Sequence, residues 1–204
     1  MRVLTVGKST GYASRAGMAL AIALSLGQSA WAQSGTGTSL KDLGAFVGLD
    51  TRFGDMAGGF AGFAGAEAAL LLKHRMYLGV RGAGLATDNA RLTVPGSAAN
   101  QTLGMGYGGL LIGYLMPVRS MVDVSVDALL GAGGVGAAEA GEDKNWDAIF
   151  VFEPTATLEL KLARVARIGV GLSYRFIGDA TVPGIPESDL RGFAGVARVR
   201  IGWF

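Results

Sequence analysis

Thirteen charged residues fall in clusters whose internal spacing is always even: Asp50 and Arg52, Glu67, Arg81, Asp123 and Asp127, Glu153, Glu159 and Lys161, Arg167 and Arg175, and Arg198 and Arg200. Paired carboxylates can divide general-acid and general-base work, so hydrolysis is one chemistry to consider. Opposed acids and bases on facing surfaces have another use. Buried together, they neutralise one another and hold a structure shut. Even spacing favours the second use, because residues i, i+2 and i+4 of a β-strand share one face.

Other motifs carry less. His74 is the only histidine, and it sits between Lys73 and Arg75 in a turn-like stretch. A Ser or Asp triad needs a His beside its nucleophile, and a zinc site needs more His or Cys than this chain holds. Gly131-Ala132-Gly133-Gly134-Val135-Gly136 matches the dinucleotide-binding string. That string has meaning only where a strand passes into a crossover helix. Residues 137–146 (AAEAGEDKNW) are too short and too interrupted by Gly for that helix. Gly7-Lys8-Ser9-Thr10 lacks the earlier Gly of a phosphate loop, since Arg2 stands there. No cofactor is expected.

The elements that position the charges are strands. Period-two alternation recurs in eight segments: Gly44–Phe53, Phe60–Leu72, Arg75–Thr87, Thr102–Met116, Arg119–Gly133, Asp147–Leu162, Val165–Gly178 and Leu190–Phe204. Val122, Val124, Val126, Ala128 and Leu130 share a face against Asp123, Ser125 and Asp127. Ile168, Val170, Leu172, Tyr174 and Phe176 oppose Arg167, Gly169, Gly171, Ser173 and Arg175. Short links (Lys73-His74, Pro117-Val118, Ala163-Arg164) alternate with longer ones (Gly54–Gly59, Asp88–Gln101, Gly134–Trp146, Asp179–Asp189). This is the layout of an all-β, eight-stranded antiparallel up-and-down transmembrane β-barrel, with short turns in the periplasm and long loops outside. The apolar rows would face outer-membrane lipid. A soluble β-sandwich would also alternate, but its apolar rows would face inward. Residues 61–69 and 110–116 alternate poorly; the first is mostly Gly and Ala, the second apolar on both faces.

The 204 residues suit one domain after an export signal. Arg2, Lys8 and Arg15 precede the apolar run Gly17–Leu26, and Ala30-Trp31-Ala32 offers a small-x-small cleavage site. The expected division is a signal peptide over 1–32, a flexible leader over 33–43 and an outer-membrane barrel over 44–204. The whole chain carries 18 basic and 16 acidic residues; without the three basic residues of 1–32, 15 face 16. Bulk charge therefore gives no case for a nucleic-acid partner. Periplasmic chaperones and the barrel-insertion machinery are the partners expected during assembly.

Eight strands enclose a lumen that side chains can fill. The thirteen charges are expected to point into it as an ion-pair network. Trp203 and Phe204 end the chain as terminal-strand aromatics, with Trp203 in phase with the lipid face and Phe204 out of phase.

Gly79-Val80-Arg81-Gly82-Ala83-Gly84, Tyr107-Gly108-Gly109-Leu110, Leu130-Gly131-Ala132-Gly133-Gly134-Val135, and Glu153-Pro154 followed by Gly169-Val170-Gly171-Leu172-Ser173-Tyr174-Arg175 carry a resemblance. Over roughly residues 60 to 178 the chain resembles a family of small uncharacterised outer-membrane β-barrel proteins of Gram-negative bacteria. It departs from that family at Leu111, where an acid is usual. In general architecture it is similar to the OmpA/OmpX-like eight-stranded barrels. The resemblance implies an outer-membrane barrel and supplies no activity. The expected role is non-enzymatic: envelope integrity or surface interaction through the long loops, with an unknown extracellular ligand. A narrow passive channel and a lipid-modifying enzyme are the alternatives.

Overall fold

Alternating apolar and polar residues make strands whose two faces prefer different surroundings, and a closed sheet gives each backbone group a partner. The computed structural model describes residues 43–56, 59–87, 91–92, 101–139, 145–178 and 190–204. Its strands are β1 (Leu43–Met56), β2 (Gly59–Leu72), β3 (Met76–Leu85), β4 (Arg91–Leu92), β5 (Gln101–Arg119), β6 (Val122–Glu139), β7 (Asn145–Ala163), β8 (Ala166–Gly178) and β9 (Gly192–Trp203). Eight of them are barrel staves; β4 is a two-residue spur paired with the start of β5. Every pairing is antiparallel. The sheet closes where β1 meets β9, from Ala45 opposite Trp203 to Gly54 opposite Ala194, and where β3 meets β5.

The segments expected from alternation coincide with the staves, but several boundaries move. The turn expected at Pro117-Val118 lies at Ser120-Met121. Pro117 is still paired with Asp123, and Val118 is the extra residue of a bulge before Arg119 pairs with Val122. A bulge accommodates the proline within the strand. The turn expected at Ala163-Arg164 likewise shifts to Arg164-Val165, next to a register irregularity at Leu162. The loop expected over Gly134–Trp146 is mostly strand, since β6 pairs with β5 out to Glu139 and with β7 out to Ala137 opposite Asn145. Glycines there blur the alternation that marks a strand. Residues 54–56 and 59 also belong to strands, so the first longer link reduces to 57–58.

The Lys73-His74 turn stays where the sequence places it. Both residues have positive φ, 51° and 55°, and Arg75 N donates to Leu72 O at 3.1 Å. Two left-handed central residues match the right-handed twist of the flanking strands. The proposed signal peptide and leader, and most of the links 88–101 and 179–189, lie outside the described residues.

The wall is inverted relative to a soluble barrel. Leu49, Leu70, Val80, Leu110, Val126, Leu158, Val170 and Ile201, one on each stave, point outward and are exposed. Asp50, Glu67, Arg81, Asp127, Glu153, Arg175 and Arg200 point inward and are buried. At the long-loop end, Met56, Phe63, Met105, Leu129, Val135 and Ile149 belong to an apolar layer across the lumen. At the turn end, Phe46, Leu71, Tyr77, Leu111 and Leu115 form a second apolar cluster.

Candidate functional site in the barrel lumen

The inward rows bring all thirteen charges picked out in the sequence into the lumen, most of them between those two apolar layers. Twelve are buried; Lys161, near the turn end, keeps a side chain 30% exposed. The network has three groups.

Nearest the loops, Arg52 pairs with Asp50 and, through Nε, with Glu153 Oε1 at 2.6 Å. Glu153 also accepts from the Tyr107 hydroxyl at 2.6 Å, and Arg175 lies 3.6 Å away. The Arg175 guanidinium sits 4.1 Å above the Phe63 ring. In the middle, Asp127 accepts from Arg81 at 2.8 Å, Arg198 at 2.8 Å and the Tyr77 hydroxyl at 2.9 Å. Arg200 donates to Glu67 and to Glu159, each at 2.5 Å. At the turn end, Asp123 bridges Lys161 at 2.8 Å and Arg167.

Six carboxylates therefore face six guanidiniums and one ammonium. Removing one partner from such a set exposes a charge that neither water nor protein compensates, which is far more costly than never having the pair. Every carboxylate of the set is engaged with a guanidinium, so the arrangement neutralises its own charge. Among the described residues no group of three or more His, Asp or Glu is placed to hold a metal.

Small inward residues make room for these long side chains. A Cβ at Gly113 would run into the Tyr77 ring, and one at Gly65 would meet Asp50. A Cβ at Gly169 would lie 2.8 Å from Thr157 and 3.2 Å from both Arg198 and Glu159. The Gly-rich part of the second segment and the doubly apolar fourth segment are thereby explained. Leu111 and Leu115 point inward as the turn-end layer, while Leu110, Ile112 and Met116 point outward.

Sequence reasoning missed two tyrosines. Tyr77 and Tyr107 stand in inward register with Arg81 and Leu111, and that parity was the available signal. Parity on a strand does not show partners, and the short bonds of Arg81, Arg198 and Arg200 cross the lumen to staves that are not their neighbours.

The Gly131–Gly136 string lies inside β6, hydrogen-bonded to β5 and β7, and the strand runs on past it to Glu139. His74 lies in the β2–β3 turn. Trp203 points outward and is 71% exposed. Phe204 turns the other way, stacking on Phe46 at 5.6 Å under the Arg167 guanidinium, 3.9 Å from its ring.

No protein-family model and no curated protein matches the sequence. Solved structures do resemble it. Neisserial surface protein A superposes with a TM-score of 0.60 at 12% identity, covering 81% of this chain and 99% of that one. The N-terminal β-barrel domain of Pseudomonas aeruginosa OprF superposes with a TM-score of 0.54 at 10% identity, covering 79% and 98%. At these identities the likeness is one of fold. The fold is that of the eight-stranded outer-membrane barrels.

Proposed function

We propose that this chain is a non-enzymatic outer-membrane barrel that seals its own lumen and serves the envelope through its lipid-covered wall and its outer loops. The observation that carries this reading is the inverted wall: large apolar side chains exposed on all eight staves around a buried, mutually neutralised set of charges. An apolar surface of that extent in water would drive aggregation, whereas lipid covers it without cost. Lipid-facing aromatics at the loop end add support, since such girdles mark a membrane interface. Phe53 and Phe60 stack at 6.1 Å, Phe152 and Phe176 at 5.7 Å, and Tyr174 meets Phe193 at 4.7 Å.

With the short turns in the periplasm, the opposite end of the barrel, where β1 ends at Met56 and β8 at Gly178, faces outward and offers the surface for an extracellular partner. Neisserial surface protein A is by its name a surface protein, and a surface role is carried to this chain as part of the proposal. Export, passage with periplasmic chaperones and insertion by the barrel machinery complete the reading.

Planar-bilayer conductance tests it. The purified full chain is expected to insert silently at moderate voltage. Discrete current steps that persist across preparations would replace the sealed barrel by a channel.

A further inference from the structure

The seam between β1 and β9 is the one stave pairing not made by chain neighbours. Its interior chemistry is lopsided. β9 brings two arginines, Arg198 and Arg200, and no acid to the lumen. Their short bonds go to neither adjacent stave. Arg200 Nε reaches Glu67 on β2 and Nη1 reaches Glu159 on β7, both at 2.5 Å, while Arg198 reaches Asp127 on β6 at 2.8 Å.

The adjacent staves clear the way. Gly48 on β1 pairs with Arg200, and a Cβ there would lie 2.9 Å from Glu67 Oε1. Gly169 on β8 pairs with Arg198, and a Cβ there would press on both Arg198 and Glu159.

Without β9, two of the acids it serves are poorly matched, while Asp127 keeps Arg81. Glu67 has a short salt bridge with Arg200 alone among the described residues. Glu159 otherwise has only Arg167, 3.9 Å away.

We propose that Arg200, with Arg198, is an electrostatic latch for barrel closure: β9 zips onto β1 because doing so neutralises acids on β2, β6 and β7 across the lumen. An open or misregistered sheet leaves Glu67 without its salt bridge and Glu159 with only the distant Arg167, and so is selected against. A two-residue slip of β9 that carries Arg200 to the present place of Arg198 would leave Glu67 without an arginine, while the opposite slip would bring Arg198 to Glu67 and take from Asp127 its partner on β9. The latch goes beyond the envelope role, since it concerns how the barrel closes and not what the closed barrel does.

The chain has no cysteine, so paired cysteines can report individual seams. Val47 and Ile201 are opposite across the β1–β9 seam; Val47 and Ala68 are opposite within the β1–β2 hairpin. Each pair would be replaced by cysteines in the full chain, and disulfide formation followed during refolding into phospholipid vesicles under a constant oxidant. Arg200→Met is expected to slow the Val47–Ile201 crosslink at least about tenfold while changing the Val47–Ala68 crosslink less than about twofold. Removing the stranded acids as well, in Glu67→Gln/Glu159→Gln/Arg200→Met, is expected to return the seam rate to within about threefold of the parent. Should Arg200→Met not close at all, the triple variant decides: recovery upholds the latch. Equal slowing of both crosslinks, an unchanged seam rate in Arg200→Met, or a triple variant no faster than the single one would each overturn it.

Discussion

The two faces of the barrel wall handle desolvation in opposite ways. The outward face presents side chains such as Leu158, Val170 and Leu172 that need no specific partner, so any apolar residue of similar size serves. The inward face presents Arg52, Asp127, Glu153 and Arg200, each fixed by a named atom on another stave. The lesson is that specificity in this fold resides in the lumen. The same strand tolerates change on one side and resists it on the other, residue by residue.

The largest expected effect comes from unbalancing the middle of the lumen. Asp127→Asn removes the charge that Arg81 and Arg198 share and weakens the acceptor for Tyr77. A loss of about 3–5 kcal/mol is expected, read as a lowered urea midpoint in vesicles. Leu129→Ala opens a cavity in the loop-end layer and is expected to cost about 2–5 kcal/mol. In that variant the planar bilayer should also show current absent from the parent protein.

Glycines give a sharper contrast at a smaller scale. Gly113→Ala thrusts a methyl group into the Tyr77 ring and is expected to cost about 1–3 kcal/mol. At Gly82, on the outward face of β3, the nearest atom to an added Cβ is Tyr107 O at 3.7 Å. Gly82→Ala should therefore stay within about 0.5 kcal/mol. Equal costs at the two positions, measured by the same unfolding titration, would erase the distinction between the faces. Lys161→Met, at the half-open turn end, is the mildest inward change, expected to cost at most about 1 kcal/mol and less at high salt.

These differences also explain what could be read in the sequence. Outward rows such as Val122, Val124 and Val126 declare themselves by alternation, and the inward parity of Asp123 and Asp127 follows at once. Which acid meets which base does not follow, because that depends on stagger and on a lumen narrow enough for an arginine to cross. Arg200 and Glu67 lie 133 residues apart, and no local pattern joins them. Leu111 and Leu115 broke the alternation because they seal the turn end. Gly134 and Gly136 hid the outer part of β6 because a strand without side chains has no pattern to show.

Nitroxide side chains can report whether lipid covers the apolar rows while the charges sit inside. Labels placed singly at Leu158, Val170 and Leu172, and at Ser125 for comparison, would be read in phospholipid vesicles against oxygen and a water-soluble nickel complex. High collision rates with oxygen and low rates with nickel are expected at the first three positions, and low rates with both at Ser125. Labels at Leu158, Val170 and Leu172 shielded from oxygen, in a protein that stays dispersed without lipid or detergent, would contradict that arrangement.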